Sequence, residues 1–188
     1  MNKTFYTWKD VETAADSILL SMYNKMWTPS CIVGITRGGL SLALILSHRL
    51  GVPMHTLKVQ LRDGVATEET ECNLWLPEMA IGYVQAENRD VVKSRWDIKT
   101  RKNILIVDDI NDTGATFNWI KQDWQSTCFP NEVDMWSSVW HHNVKFAVMT
   151  QNWGSSVEPD FWWHEVDKRE NDQWLVYPWE KDSWLKKA

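Results

Sequence analysis

Two hydrophobic periods alternate along the chain. Between residues 8 and 26, Val11, Ala14, Ala15, Ile18, Leu19, Met22 and Met26 recur at three- and four-residue steps, which predicts an amphipathic helix. Thr7 is placed to cap its amino end, and Asp10 falls in the first turn, where the helix dipole favours a carboxylate. The apolar run 31–35, Cys-Ile-Val-Gly-Ile, has the length of a strand. Thr36-Arg37-Gly38-Gly39 interrupts it, and 40–50 reads as a second helix with Gly51 at its C′ position. Residues 53–60 predict another strand. The strongest strand signal is 103–108, Asn-Ile-Leu-Ile-Val-Asp, a continuous aliphatic run suited to a strand covered on both faces. Asp108 to Thr116 reads as a loop, 116–127 as a helix, and 133–140, 145–150 and 160–166 as strands, followed by an irregular, aromatic-rich tail over 171–184.

Strands alternating with helices place the chain in the α/β class: a mostly parallel sheet flanked by helices on both faces. The stretch 61–102 stands apart. It is polar and acidic around 62–71 and has poor periodicity, so it is expected to form a small hood or lid region rather than a structureless insert. A single domain spanning 1–188 accommodates all of this, and no internal repeat or low-complexity segment is visible.

Charge then narrows the function. The formal net charge is −5, which argues against a nucleic-acid binder held by a broad basic face. A small anionic ligand stays compatible, because a local nest of backbone N–H groups binds phosphate on an acidic protein. The three cysteines, Cys31, Cys72 and Cys128, are far apart and odd in number, as in a reduced, cytosolic protein. The first residues contain no signal-type apolar stretch, and no run approaches a membrane span, so a soluble, cytoplasmic protein with no membrane partner is expected. The 14 tryptophans read as extra core and subunit-interface area.

The chemistry concentrates in Ile104-Leu-Ile-Val-Asp108-Asp109-Ile110-Asn111-Asp112-Thr113-Gly114-Ala115-Thr116. A buried strand delivers two adjacent carboxylates, and a turn of small residues then opens a helix. In open α/β sheets ligands bind beyond the carboxyl ends of the strands. Such a turn aims several N–H groups and a helix dipole at one anion. Asp108 and Asp109 suit ribose hydroxyls, directly or through Mg²⁺. The alternative is a plain strand-to-helix turn with solvated acids.

This stretch resembles the phosphoribosyl pyrophosphate (PRPP) motif of the type I phosphoribosyltransferases. Ile35-Thr36-Arg37-Gly38-Gly39-Leu40, about 70 residues earlier, resembles the family's pyrophosphate loop, which often contains a non-proline cis peptide, here at Thr36-Arg37. By itself an Arg-Gly-Gly turn is more often just a tight turn. The tail, Asp172-Gln-Trp174-Leu175-Val-Tyr177-Pro-Trp179-Glu180, resembles the base-binding segment of the xanthine-guanine and hypoxanthine-guanine enzymes, so the base-binding segment is expected over about 160–184.

The resemblance implies a PRPP-binding set of Thr36, Arg37, Gly38, Gly39, Asp108, Asp109, Asp112, Thr113, Gly114, Ala115 and Thr116. It implies a Mg²⁺ cofactor at Asp108 and Asp109, with Glu180 near the base or the metal. Asp112 is the implied general base, and Trp174 and Leu175 are implied base contacts. The family's purine enzymes also carry a lysine that donates to the 6-oxo group; Lys145 is the candidate here, with Gln151 as the alternative. Lys93, Arg95 and Arg101 are lid candidates for pyrophosphate, each otherwise a solvated surface charge. The implied partners are PRPP and a nucleobase, with a homodimer or tetramer as the expected assembly. Three other readings compete: transfer to uracil, adenine or orotate; a PRPP-sensing regulator that binds RNA; and a non-catalytic scaffold.

Overall fold

The computed structural model describes residues 2–62, 65–71, 73–84, 95–128, 130–131, 133–171 and 173–180. In chain order its elements begin with β1 (Asn2–Phe5), α1 (Trp8–Asn24), β2 (Cys31–Thr36), α2 (Leu40–Leu50) and β3 (Met54–Lys58). Short pieces follow: β4 (Leu61–Arg62), β5 (Val65–Ala66), α3 (Trp75–Ile81), β6 (Tyr83–Val84), β7 (Arg95–Trp96) and a 3₁₀ turn at Ile98–Thr100. Then come β8 (Ile104–Asn111), α4 (Ala115–Thr127), α5 (Val133–Ser137), β9 (Val144–Asn152), β10 (Phe161–Val166) and β11 (Gln173–Val176).

The main sheet is five-stranded and wholly parallel, in the order β10-β9-β8-β2-β3. Its central strands β9, β8 and β2 are apolar on both faces because both faces are covered, and side chains alternate between them. Val33, Ile35, Ile104, Ile106, Phe146 and Val148 join Phe117, Ile120 and Trp124 of α4 in one core layer. Ile32, Leu105, Val107, Ala147 and Met149 join Val11, Ile18, Leu42 and Leu46 of α1 and α2 in the other. The three predicted helices form, as α1, α2 and α4. Thr7 caps α1 through a reciprocal capping box with Asp10, and Gly51 closes α2 in the left-handed region at φ 66°.

Three expectations change. Residues 133–140 do not form a strand: Val133–Ser137 is a short helix, and Trp140 makes only an isolated bridge. The buried residues there, Met135, Trp136, Val139 and Trp140, follow helical steps, and Trp136 stacks on Trp140 at 5.3 Å. The tail is not irregular throughout. Gln173–Val176 pairs in parallel with Asn2–Phe5 as a separate two-stranded sheet. The 61–102 stretch is also mixed: α3 puts Leu76, Ala80 and Ile81 into the core at full burial, while β4 pairs with β5 and β6 with β7 as small hairpin-like ribbons. Among the described helices none is long and apolar enough to cross a membrane. Cys31 and Cys128 are buried free thiols, and Cys72 lies outside the described residues.

Candidate active site at the carboxyl end of the sheet

After β2 the chain moves to β3 on one side, and β8 later adds on the other, so the strand order reverses between β2 and β8. That reversal opens a crevice at the carboxyl ends of both strands, where open α/β sheets bind ligands. The loop after β2 and the turn after β8 meet there. The Thr36–Arg37 peptide is cis, as expected of this loop. A side chain on Gly38 would collide with the Asp109 carboxylate, and one on Gly39 with the Val107 carbonyl and the Asp108 backbone. Both glycines are needed because the two loops touch. The sequence separated them by 70 residues; the sheet brings them into contact.

Asp108 and Asp109 belong to β8 itself, which runs on to Asn111 rather than ending at 108. Each carboxylate folds back onto the next backbone: Asp108 Oδ1 accepts the Asp109 N–H at 2.9 Å, and Asp109 Oδ1 accepts that of Ile110 at 2.8 Å. Burial holds the Asp108 carboxyl well above the usual carboxylate range, and the neighbouring Asp109 charge pushes it further. Burial raises Asp109 too, with Glu180 adding a smaller push. Gly114 then turns the chain into α4 at φ 86°, a conformation that favours glycine, and any side chain there would strike Ser156 Oγ at 2.6 Å. The turn Asp112 to Thr116, with Asp108 and Asp109, encloses a cavity of about 180 Å³.

A larger cavity of about 830 Å³ adjoins it and shares Asp109. Arg37 and Gly38 line one side; Lys3 of β1 and Trp174, Val176, Trp179 and Glu180 of the tail line the other. Trp174 is 54% exposed, with its ring available to a ligand. Lys3 and Trp174 are partners in the β1–β11 register, which explains why a residue from the start of the chain joins the site. Leu175 does not: strand alternation turns it inward to 7% exposure, between two cavity-lining neighbours. Tyr177, 3% exposed, ties the tail to the acidic pair by donating to Thr150 Oγ1 at 3.0 Å and to the Asp109 carbonyl at 3.3 Å.

Asp112 is held from two sides. Asn152 Nδ2 donates to its Oδ1 at 2.9 Å and to its backbone carbonyl at 3.0 Å, and Lys168 Nζ sits 2.9 Å from its Oδ2. Asn152 ends β9 and Lys168 follows β10, so adjacent strands deliver both residues to the rim. Sequence reasoning missed both. The only signals were a polar residue closing an apolar strand and a lysine after the next strand.

Lys145 is not in the site. It is the second residue of β9, at the opposite end of the sheet, with its ammonium 5.3 Å from the Trp27 ring centre and 5.6 Å from that of Phe161. Gln151 does lie at the carboxyl end of β9, but its side chain is 8% exposed and bonded to Asn111 and the Asn152 carbonyl. Arg101 is likewise occupied, by the Ser138 carbonyl and hydroxyl and more loosely by the Ile81 carbonyl. Lys93 and the side chain of Arg95 lie outside the described residues. Glu180 lines the cavity and accepts the Tyr177 N–H at 3.3 Å. Among the described residues no three acidic, histidine or cysteine side chains gather into a group that could hold a metal ion by themselves.

The structure resembles purine phosphoribosyltransferase from Pyrococcus horikoshii Ot3 at 25% identity, covering 96% of each chain with a TM-score of 0.61. It also resembles the Helicobacter pylori xanthine-guanine-hypoxanthine phosphoribosyltransferase at 15% identity, over 98% of this chain and 97% of that one, with a TM-score of 0.59. A Neisseria gonorrhoeae hypothetical protein with bound ppGpp follows at 17% identity, covering 98% of this chain and 93% of that one, with a TM-score of 0.54. A search of curated proteins by sequence finds no significant match. The sequence model of the phosphoribosyl transferase domain matches residues 1–182, through both loops and the tail. The chain is therefore a transferase and belongs to the type I phosphoribosyltransferases.

Proposed function

We propose that the enzyme moves the 5-phosphoribosyl group of PRPP onto a 6-oxopurine (guanine, xanthine or hypoxanthine) and releases pyrophosphate. The observation that carries this reading is a fixed acceptor beside a fixed donor: Asp112 Oδ2 and Lys168 Nζ, 2.9 Å apart at the rim. A 6-oxopurine protonated at N7 offers the complementary pair on one edge, an N–H beside a carbonyl oxygen. Asp112 accepts the N7 proton and Lys168 donates to O6, the role the resemblance had suggested for Lys145. A 6-aminopurine sets its own N–H donors against the ammonium and is rejected. The purine name carried by the Pyrococcus horikoshii structure agrees with this edge chemistry.

The remaining parts follow from the same crevice. The turn 112–116 takes the 5′-phosphate on backbone N–H groups. Arg37, Gly38 and Gly39 take the pyrophosphate. Trp174 offers a face on which the purine stacks. Asp108 and Asp109 fit a Mg²⁺–PRPP complex: they are adjacent carboxylates, raised in pKa by burial, and Mg²⁺ characteristically uses one or two carboxylates with substrate oxygens completing its shell. When bound, the ion neutralises charge on the departing pyrophosphate. The bond from C1′ to pyrophosphate loosens as the purine nitrogen approaches, through an oxocarbenium-like transition state. The protein contributes alignment, charge stabilisation and exclusion of water. Exposed Trp8, Trp75 and Trp153 support a homo-oligomer, dimer or tetramer, and the buried free thiols support a cytoplasmic setting.

Pyrophosphate release from PRPP, measured in parallel with guanine, xanthine, hypoxanthine, adenine and uracil, tests the reading. A 6-oxopurine should exceed adenine and uracil by roughly 10²-fold or more in kcat/KM. A preference for adenine or uracil overturns it.

A further inference from the structure

A cavity of about 510 Å³ lies outside the active site and shares no lining residue with it. Lys121 of α4, His141 of the turn before β9 and Asp160 just before β10 meet on its wall as one hydrogen-bonded chain. Lys121 Nζ is 3.1 Å from His141 Nε2, and His141 Nδ1 is 3.2 Å from Asp160 Oδ2. That carboxylate is 8% exposed and also accepts the Phe146 N–H at 2.9 Å, so it is anchored to β9. The imidazole is fixed as well. His141 adopts φ 62°, rare for a side-chain-bearing residue, and its N–H donates to the Val144 carbonyl at 2.8 Å.

The direct partner of Lys121 is thus an imidazole, not a carboxylate, with the Phe146 ring centre 5.3 Å away. Burial lowers the Lys121 pKa, against a smaller opposing pull from Asp160. Two proton arrangements of the chain carry the same net charge. In one, the ammonium donates to a neutral imidazole whose Nδ1–H donates to Asp160. In the other, the proton sits on Nε2, and a free amine faces an imidazolium clamped by Asp160. An amine with a built-in proton acceptor is an activated nucleophile. The other charged groups lining the pocket are Lys25 and Glu158. Lys25 Nζ donates to the Asp160 carbonyl at 2.9 Å, which sets a second cation on the same pocket wall, where a phosphate leaving group can pair with it.

We propose that Lys121 is a site of acylation by small acyl phosphates. Its amine attacks the acyl carbon. The N–C bond forms as the C–O bond to phosphate breaks, and the phosphate leaves with that electron pair. The ammonium gives one proton to His141 Nε2, and from there to water, before the attack; the second proton, lost from nitrogen as the amide forms, leaves with the phosphate as hydrogen phosphate. The product is a neutral amide.

The enzyme is incubated with acetyl phosphate near neutral pH, and acetylation is followed residue by residue by peptide mass spectrometry. Lys121 should react roughly tenfold or more faster than Lys9, an exposed lysine of α1, as assistance from an adjacent proton acceptor implies. Its rate should also level off at a lower pH than that of Lys9. In His141→Gln the advantage should vanish while turnover with PRPP persists. A Lys121 rate no greater than that of Lys9, or one unchanged in folded His141→Gln, overturns the proposal. If that variant fails to fold, the wild-type pH profiles decide: parallel profiles for the two lysines overturn it. An acetyl thioester reacting as fast as acetyl phosphate overturns the preference for an anionic donor.

Discussion

The two rims of the main sheet use the same residue types for opposite ends. At the amino-end rim, Lys145 lies over two aromatic rings, Arg101 is bound to Ser138, and Asn103 and Asn143 donate to backbone carbonyls of neighbouring segments. Those cations and amides are already engaged by the protein. At the carboxyl-end rim, Arg37 and Lys3 face an 830 Å³ cavity, and two half-buried acids lie side by side. Strand β9 shows the contrast within nine residues: its second, Lys145, braces the fold, and its last, Asn152, orients Asp112. Position along the strand, more than residue type, decides whether a polar group is a strut or a ligand.

Substitutions at the two rims should therefore separate widely, and similar effects would erase the contrast. Asp112→Ala should show the largest effect, a fall in kcat of roughly 10²–10⁴-fold from loss of a proton acceptor, with PRPP affinity by calorimetry unchanged. Unchanged turnover would remove Asp112 from the mechanism. Asp108→Asn combined with Asp109→Asn should weaken PRPP by about 10- to 100-fold, as loss of charge-assisted contacts of roughly 1.5–3 kcal/mol implies. Lys168→Met should lower kcat/KM for guanine by about tenfold and narrow the gap to adenine in the base panel. Lys145→Met, at the other rim, should leave kcat/KM intact and cost only about 0.5–1 kcal/mol of stability in a denaturant titration.

The acidic pair adds a pH test of smaller size. Its pKa values are raised in the fold, so between the ordinary carboxylate value of 3.8 and the folded values the native state binds more protons than the unfolded chain. Its contribution to stability therefore falls as pH rises through that window. Affinity for Mg²⁺–PRPP rises over the same window, because binding favours both carboxylates ionised, and protons are released on binding. Calorimetry in buffers of different ionisation enthalpy would detect that release. Equal heats throughout would count against the assignment.

What the sequence made legible was contiguous. The stretch 104–116 carries its strand, its acids and its turn in one piece, and α1 and α2 announce their caps. The loop 36–39 was readable because glycines after a strand mark a close approach, although what approaches, Asp109, is visible only in the fold. The parts missed were assembled at a distance. Asn152 and Lys168 reach Asp112 from 40 and 56 residues away, and no local pattern announces either. Residues 133–140 misled because Met135, Trp136, Val139 and Trp140 suit a buried strand by composition, and spacing alone separates that from a short helix.

The pairing of Asn2–Phe5 with Gln173–Val176 carries a consequence for biogenesis. The wall that bears Trp174 joins two strands made far apart in time, and Thr4 waits for Gln173 across 169 positions. A chain stopped short of that partner would own both loops of the carboxyl-end rim yet lack the wall that faces them. Ribosomal synthesis thus withholds a closed chamber until the main sheet has been made.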